Sequence, residues 1–175
     1  LGYADDLAIL GEVDHLIAET EEIKRILDTV GYTMSIAKSR ILCRVASEAQ
    51  RDGSSIDITN AHRIMGVPIG TEEDVKRLAS QSVHEAGRSF VNLEKVASRQ
   101  TALALTTYCV NTRPTYLTRT VHPSLLQDSL TTFDDSCDRL LSKLAGAALS
   151  VDAKAIRGLS IGLGGMSIHR HAGPK

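Results

Sequence analysis

The local sequence pattern changes near residue 71, and this change constrains the fold more than any other feature of the chain. Before it, short apolar runs alternate with polar turns and with one stretch of helical hydrophobic spacing, from Val13 to Val30. After it, from Asp74 to Leu149, helical spacing prevails, with interruptions at Arg113-Pro114 and His122-Pro123. Short strands with one amphipathic helix, followed by helices alone, predict an α+β fold.

Three segments follow from this pattern. Residues 1–71 are expected to form the α+β part, residues 72–150 an all-helical part, and residues 151–175 a Gly-rich tail or linker with a flexible end. The chain of 175 residues is long enough for one sizeable core or two small ones. In the helical part, one predicted core face shares a three- to four-residue spacing: Leu126, Leu130, Phe133, Cys137, Leu140, Leu141 and Leu144.

Charge is distributed unevenly although the whole chain carries a net charge of only −1. Residues 1–30 hold eight acidic and two basic side chains, whereas residues 76–120 hold seven basic and two acidic ones. The second segment therefore permits a nucleic-acid partner that the overall charge does not suggest. No apolar run approaches the length of a bilayer span, and no membrane partner is expected.

The three cysteines are isolated and form no CxxC pair. This pattern argues against a disulfide framework and a zinc ribbon. It is typical of a reducing compartment, so we expect an intracellular protein, nuclear or cytoplasmic.

Two adjacent carboxylates, Asp5 and Asp6, lie between apolar runs that are expected to form short strands. Like charges at a tight turn repel each other unless a cation lies between them. Mg²⁺ (or Mn²⁺) is suited to this role because it prefers oxygen ligands, commonly one or two carboxylates together with substrate phosphates. The alternative is a solvated turn in which the two aspartates are merely hydrophilic.

The sequence around this pair resembles that of reverse transcriptases. Tyr3-Ala4-Asp5-Asp6 resembles their YxDD motif, and an amphipathic helix follows it. The segment from Gly31 to Ser39 is similar to the next palm motif with its Lys-Ser pair, and Tyr32 to Ile36 within it is expected to form a strand. The segment from Met65 to Gly70 resembles the hairpin that forms the primer grip. The motifs are most similar to those of non-LTR-type retrotransposon enzymes. The resemblance covers about the first 70 residues well and the helical part only by its position. It implies a partial polymerase palm, in which antiparallel hairpins pack with a helix, followed by a thumb-like helical region.

The resemblance implies a role for several residues. Asp5 would be a catalytic metal ligand, Asp6 its neighbour in the same site, and Lys38 would approach the phosphates of the incoming deoxynucleoside triphosphate. Tyr3 would lie near the primer terminus. The glycines and the proline of the second hairpin would contact the primer backbone, namely Gly66, Pro68 and Gly70. An ordinary turn explains these three nearly as well.

The helical part then stands in the place of the thumb, which holds an RNA template and a DNA primer by charge. The candidate phosphate-binding residues are Lys76, Arg77, Arg88, Lys95 and Arg99. Tyr108 and Tyr116 bracket Arg113 and are expected either as core residues or as a stacking surface. His169 and His171 are expected in the flexible end rather than in a metal site.

The family supplies a further catalytic aspartate, fingers and a nucleotide-selecting helix upstream of the YADD motif. This sequence begins at that motif, so the 175 residues alone are expected not to polymerise. Two other hypotheses stay open. The chain is a decayed or repurposed remnant that only binds nucleic acid, or it is an unrelated metal-binding α+β domain in which YADD is coincidental.

Overall fold

The computed structural model describes residues 2–3, 6–44 and 56–173. Helices dominate, and the described strands are two or three residues long, so the α+β class is confirmed. The chain divides into two compact units, residues 1–74 and 75–175, which places the division three residues beyond the expected boundary.

The first unit contains one helix and six short strands. Its elements are β1 (Gly2–Tyr3), β2 (Asp6–Leu7), α1 (Val13–Thr29), β3 (Arg40–Leu42), β4 (Asp57–Thr59), β5 (His62–Ile64) and β6 (Val67–Ile69). The described strands pair only two by two, as β1–β2, β3–β4 and β5–β6.

Two local expectations for this unit are wrong. The pair β3–β4 is parallel, with Ile41 opposite Ile58, whereas antiparallel hairpins alone were expected. The segment from Tyr32 to Ile36 is not a strand: residues 32–35 are irregular and residues 36–38 form a turn. Backbone hydrogen bonds from Lys38 and Ser39 to the Ser35 carbonyl close this turn, and β3 begins only after it.

The core of the first unit is small. Ile41, Ile56 and Ile58 are buried, and Ile17 of α1 packs against them. The amphipathic helix therefore packs as expected on the strand pair β3–β4. By contrast, Leu10 is 93% exposed.

The second unit is helical, with α2 continuing into it from the first. Its elements are α2 (Glu72–Leu93), α3 (Arg99–Leu105), a π-helical turn (Thr106–Val110), α4 (Pro114–Thr120), α5 (Pro123–Ala145), α6 (Val151–Ile156) and a 3₁₀ turn (Ile161–Leu163). No helix among the described residues is long and apolar enough to cross a membrane.

The core of this unit lies between α2 and α5. The two helices meet at Phe90 and Phe133, whose ring centroids lie 4.9 Å apart. Six of the seven residues on the predicted α5 face are buried and Leu144 is partly buried, so the predicted face is confirmed. The spacing succeeds here because a helix of 23 residues repeats its buried face over six turns.

The Gly-rich tail is not a flexible end over its described residues. Ile168 is fully buried in the core of the second unit. The backbone carbonyl of Arg157 accepts hydrogen bonds from the N–H groups of Met166 and Ile168, and the carboxylate of Asp134 accepts from the N–H groups of His171 and Ala172. Long-range polar contacts, which leave no periodic signal in the sequence, thus hold the tail against α5.

Candidate metal and nucleic-acid site

The strands on either side of Ala4-Asp5 pair with each other. Gly2 pairs with Leu7 and Tyr3 with Asp6 in the antiparallel pair β1–β2. The sequence predicted a turn at Asp5-Asp6, whereas Asp6 is the first residue of β2. Ala4 and Asp5 lie outside the described residues, as do the side chains of Tyr3 and Asp6.

Two neighbouring carboxylates at a chain reversal have the donor chemistry that Mg²⁺ or Mn²⁺ prefers, since both metals take oxygen ligands. Among the described residues, no group of three or more His, Cys, Asp or Glu side chains is arranged to hold a metal ion. The candidate metal ligands are the two aspartates that the sequence suggested, Asp5 and Asp6.

Lys38 lies in the turn that precedes β3, and its side chain is exposed. Its backbone N–H donates to the Ser35 carbonyl at 3.1 Å, which fixes the position of the turn. Its ammonium group forms no ion pair with any residue of the described ranges. It is thus accessible to a phosphate group.

The pair β5–β6 is a two-residue hairpin. Met65 and Gly66 have φ angles of 51° and 81°, and positive values at both central residues are typical of the type I′ turn that best fits the twist of paired strands. Pro68 is buried opposite Arg63, at a non-hydrogen-bonded position of the hairpin where no N–H is needed. Gly70 has a φ of 154°, and a Cβ there would lie 2.8 Å from the Cβ of Ala61. The hairpin geometry alone therefore accounts for a glycine at positions 66 and 70 and a proline at position 68. Contact of these three residues with a primer stays a prediction.

The candidate phosphate-binding residues all lie on the surface of the second unit or at its start. Buried residues of α2, from Ala79 to Leu93, face the core, and the basic side chains point away from it. Arg77 and Arg88 are separated by three helical turns, so they share one face at about 16 Å along the axis. In the described part of the chain, four of the candidates have no ion pair: Lys76, Arg88, Lys95 and Arg99.

The structure excludes the interpretation of Tyr108 and Tyr116 as core residues. Tyr108 is 69% exposed and Tyr116 is 49% exposed, so neither belongs to the core. The signal was present in the sequence, because Val110, Pro114 and Leu117 follow a helical spacing that excludes both tyrosines.

Sequence reasoning missed a buried charged cluster around Arg157 in the second unit. Its Nη1 lies 3.1 Å from Cys137 Sγ and 3.3 Å from Asp138 Oδ1, and its Nη2 lies 3.6 Å from Asp134 Oδ1. Burial raises the pKa of the Asp134 carboxyl despite the backbone N–H groups and the guanidinium that oppose the shift. Burial likewise raises the pKa of the Cys137 thiol to about 11. These groups stabilise the tail.

His171 is among the residues that hold the tail in place, whereas the sequence predicted a flexible end for it. Its Nε2 lies 2.7 Å from the Asn111 carbonyl, and its ring makes an edge contact with Phe133. The side-chain amide of Asn111, oriented with its nitrogen toward the His169 carbonyl, pairs with the His169 backbone at 3.2 and 3.0 Å.

Comparison with models of known protein families finds none that matches this chain. A comparison with characterised proteins finds no significant similarity. A comparison with solved structures likewise finds no significant match.

Proposed function

We propose that this chain is the C-terminal part of a reverse transcriptase, comprising part of a palm and a thumb-like helical unit. In the whole protein it would take part in RNA-templated DNA synthesis by Mg²⁺-dependent nucleotidyl transfer. Asp5 would bind the metal, Asp6 would support it, and Lys38 would bind phosphates of the deoxynucleoside triphosphate. A divalent cation in this role neutralises charge on the attacking and leaving oxygens.

The observation that carries the proposal is the backbone register of β1–β2. Pairing of Tyr3 with Asp6 leaves Ala4 and Asp5 between the strands, so the motif coincides with a chain reversal. A reversal brings neighbouring carboxylates to one end of a hairpin, where a metal with bound phosphates has access. The elements that follow along the chain include an amphipathic helix, a type I′ hairpin and a basic helical unit, in the order that the resemblance implies. Lys38 lies in a turn, where the resemblance implied a strand.

The small core of the first unit also supports the proposal that this unit is part of a larger palm. Its core contains three buried isoleucines, while Leu10, Ile26 and Val30 are more than half exposed. Large aliphatic side chains stabilise a fold when they are buried. Packing against further palm strands would bury these three.

The test of nucleic-acid binding uses the 175-residue chain and a fluorescent RNA–DNA primer–template, with anisotropy measured over a range of salt concentrations. Phosphate contacts make the logarithm of the binding constant fall linearly with the logarithm of salt concentration, and losing one contact reduces the slope by about 1. We expect this reduction for Arg88→Gln and for Lys95→Gln.

Arg139→Gln is the matched control, because Arg139 is exposed on α5 and has no candidate role. It should leave both affinity and slope unchanged. An absence of binding at low salt, or an equal loss in the control, would contradict the proposal. The chain alone is expected not to extend the primer, because the second catalytic aspartate of the family is not among its residues.

A second candidate function is a nucleic-acid-binding module without polymerase chemistry. The unpaired basic surface of the second unit favours it, since this surface does not depend on the YADD hairpin. The reading frame upstream of Leu1 separates the two functions. A frame with a strand that ends in aspartate favours the polymerase, and a frame that starts near Leu1 favours the module.

A further inference from the structure

The helical run from residue 99 to residue 120 has one buried side and one aromatic and basic side. Its buried residues include Val110, Pro114 and Leu117. The opposite side carries four exposed side chains, which we call the stacking face: Tyr108, Arg113, Tyr116 and Arg119. Tyr108 lies in the π-helical turn, and Tyr116 lies eight positions later in α4.

Tyr108 is held by an ordered turn. The π-helical turn closes with a hydrogen bond from the Asn111 N–H to the Thr106 carbonyl at 2.9 Å. The buried hydroxyls of Thr106 and Thr107 donate to the carbonyls of Ala102 and Leu103 at 2.8 and 3.0 Å. π turns inside helices are often found at functional sites. This turn presents a large aromatic ring to solvent from a fixed backbone.

The segment that carries these rings is basic. Residues 95–127 contain four basic side chains and no acidic one, and all four basic side chains are exposed. Arg113 Nη1 donates to Ser89 Oγ at 3.1 Å, which ties the stacking face to α2. Exposed basic side chains attract a polyanion.

We propose that the stacking face binds single-stranded nucleic acid. Unpaired bases stack on Tyr108 and Tyr116, and the guanidinium groups of Arg113 and Arg119 hold the phosphates between them. The duplex alternative is less suited, because paired bases already stack on one another and leave no ring face for a tyrosine. The proposal deepens the proposed function and rests on it for nucleic acid as the partner.

The experiment measures binding of the full chain to fluorescent oligothymidylate and to a duplex of equal length, by anisotropy. Stacking on an aromatic side chain tolerates any base, so Tyr108→Ala and Tyr116→Ala should each weaken single-strand binding by about five-fold or more. Duplex binding should change by less than two-fold. Tyr108→Phe should restore single-strand binding, since the ring is retained. Tyr32→Ala is the matched control, because Tyr32 is 61% exposed in the first unit.

A spectroscopic signature tests stacking directly. The chain has four tyrosines and no tryptophan, so its intrinsic fluorescence comes from tyrosine. We expect oligothymidylate to quench this fluorescence, and to quench it less in the two Tyr→Ala variants. Circular dichroism of each variant shows whether the helices persist.

Three results would overturn the inference. If Arg113→Gln weakens single-strand binding but Tyr108→Ala and Tyr116→Ala do not, the face binds phosphates without stacking, and the proposed function stands. If the chain binds neither oligonucleotide at low salt, the proposed function fails as well. If the alanine variants abolish self-association in sedimentation and the chain binds no oligonucleotide, the face is a protein interface.

Discussion

The Nη1 nitrogen of Arg157 lies 3.1 Å from the sulfur of Cys137 inside the second unit, and both side chains are almost completely buried. Asp134 and Asp138 lie one turn apart on α5 and face the same guanidinium. Asp134 also accepts hydrogen bonds from the backbone of the tail. Arg157 thus compensates the charge of the buried Asp134 and, together with Lys154, whose Nζ lies 3.7 Å from Asp138 Oδ2, that of Asp138.

Replacing Arg157 by methionine should strongly destabilise the second unit. The substitution keeps an unbranched apolar stem but removes the guanidinium that faces Asp134, so that Lys154, whose Nζ lies 3.7 Å from Asp138 Oδ2, is the cation that still contacts the cluster. Removing one partner of a buried charged cluster costs about 3–5 kcal/mol. Urea unfolding followed by circular dichroism measures the loss in the free energy of unfolding. Arg139→Met is the matched control, since Arg139 is exposed on α5, and it should change stability by less than about 0.5 kcal/mol. Equal effects of the two substitutions would refute the role assigned to Arg157.

The buried thiol of Cys137 predicts a loss of stability in alkali. Its pKa is raised from 9.0 to about 11 in the folded chain, so folding favours the protonated form. The corresponding stabilisation is complete below pH 9 and is lost as the pH rises through 11. Its full size is roughly 3 kcal/mol, since each pKa unit corresponds to about 1.4 kcal/mol.

Thermal unfolding between pH 8 and pH 11 measures this effect. Cys137→Ala should lose less stability over this range than the unsubstituted chain. Cys109→Ala should follow the unsubstituted chain, because Cys109 is exposed. If the Cys137→Ala variant and the unsubstituted chain lose the same stability between pH 8 and pH 11, burial of this thiol does not cause the loss of stability in alkali.

Gly165 is expected to tolerate no side chain. A Cβ at this position would collide with the Leu159 carbonyl and lie 2.7 Å from the Ile156 oxygen, and both are backbone atoms that cannot rotate away. Gly165→Ala should therefore displace the tail and lower the free energy of unfolding by about 1–3 kcal/mol. Hydrogen exchange of the Ile168 amide reports the displacement. Gly162→Ala has no atom within 4 Å of its Cβ and should leave exchange unchanged. Similar exchange in both variants would contradict the close packing at Gly165.

The helical part of the fold follows from sequence better than the rest. Periodic apolar spacing predicts the buried face of α5 because each turn repeats the same information. The parallel pair β3–β4 has no comparable signal, since strands of three residues are too short to show which strand they pair with. The buried position of Arg157 was unpredictable from its own neighbourhood, because burial of a charge depends on Asp134 and Asp138 some twenty residues away.

For the candidate site, sequence provides the residues and the structure provides only part of their arrangement. The YADD hairpin and the type I′ turn at Met65-Gly66 depend on local conformational preferences, which short sequences contain. The exposure of Tyr108 depends on which side of its helical segment faces the core. The helical spacing of Val110, Pro114 and Leu117 indicates that side and excludes Tyr108 from it. The position of Lys38 relative to the hairpin depends on how separate strand pairs are arranged, and the local sequence pattern contains no information on that arrangement.

The most direct test of the reverse-transcriptase proposal is the location of a bound divalent cation. Titration of the ¹⁵N-labelled chain with Mn²⁺ broadens the amide signals nearest the metal, and a deoxynucleoside triphosphate is added in a second titration. We predict broadening centred on residues 2–7, enhanced by the nucleotide and abolished by Asp5→Asn with Asp6→Asn. The exposed α1 variant Asp28→Asn should keep it. Broadening that is centred elsewhere, or that persists in the double variant, would contradict the proposal.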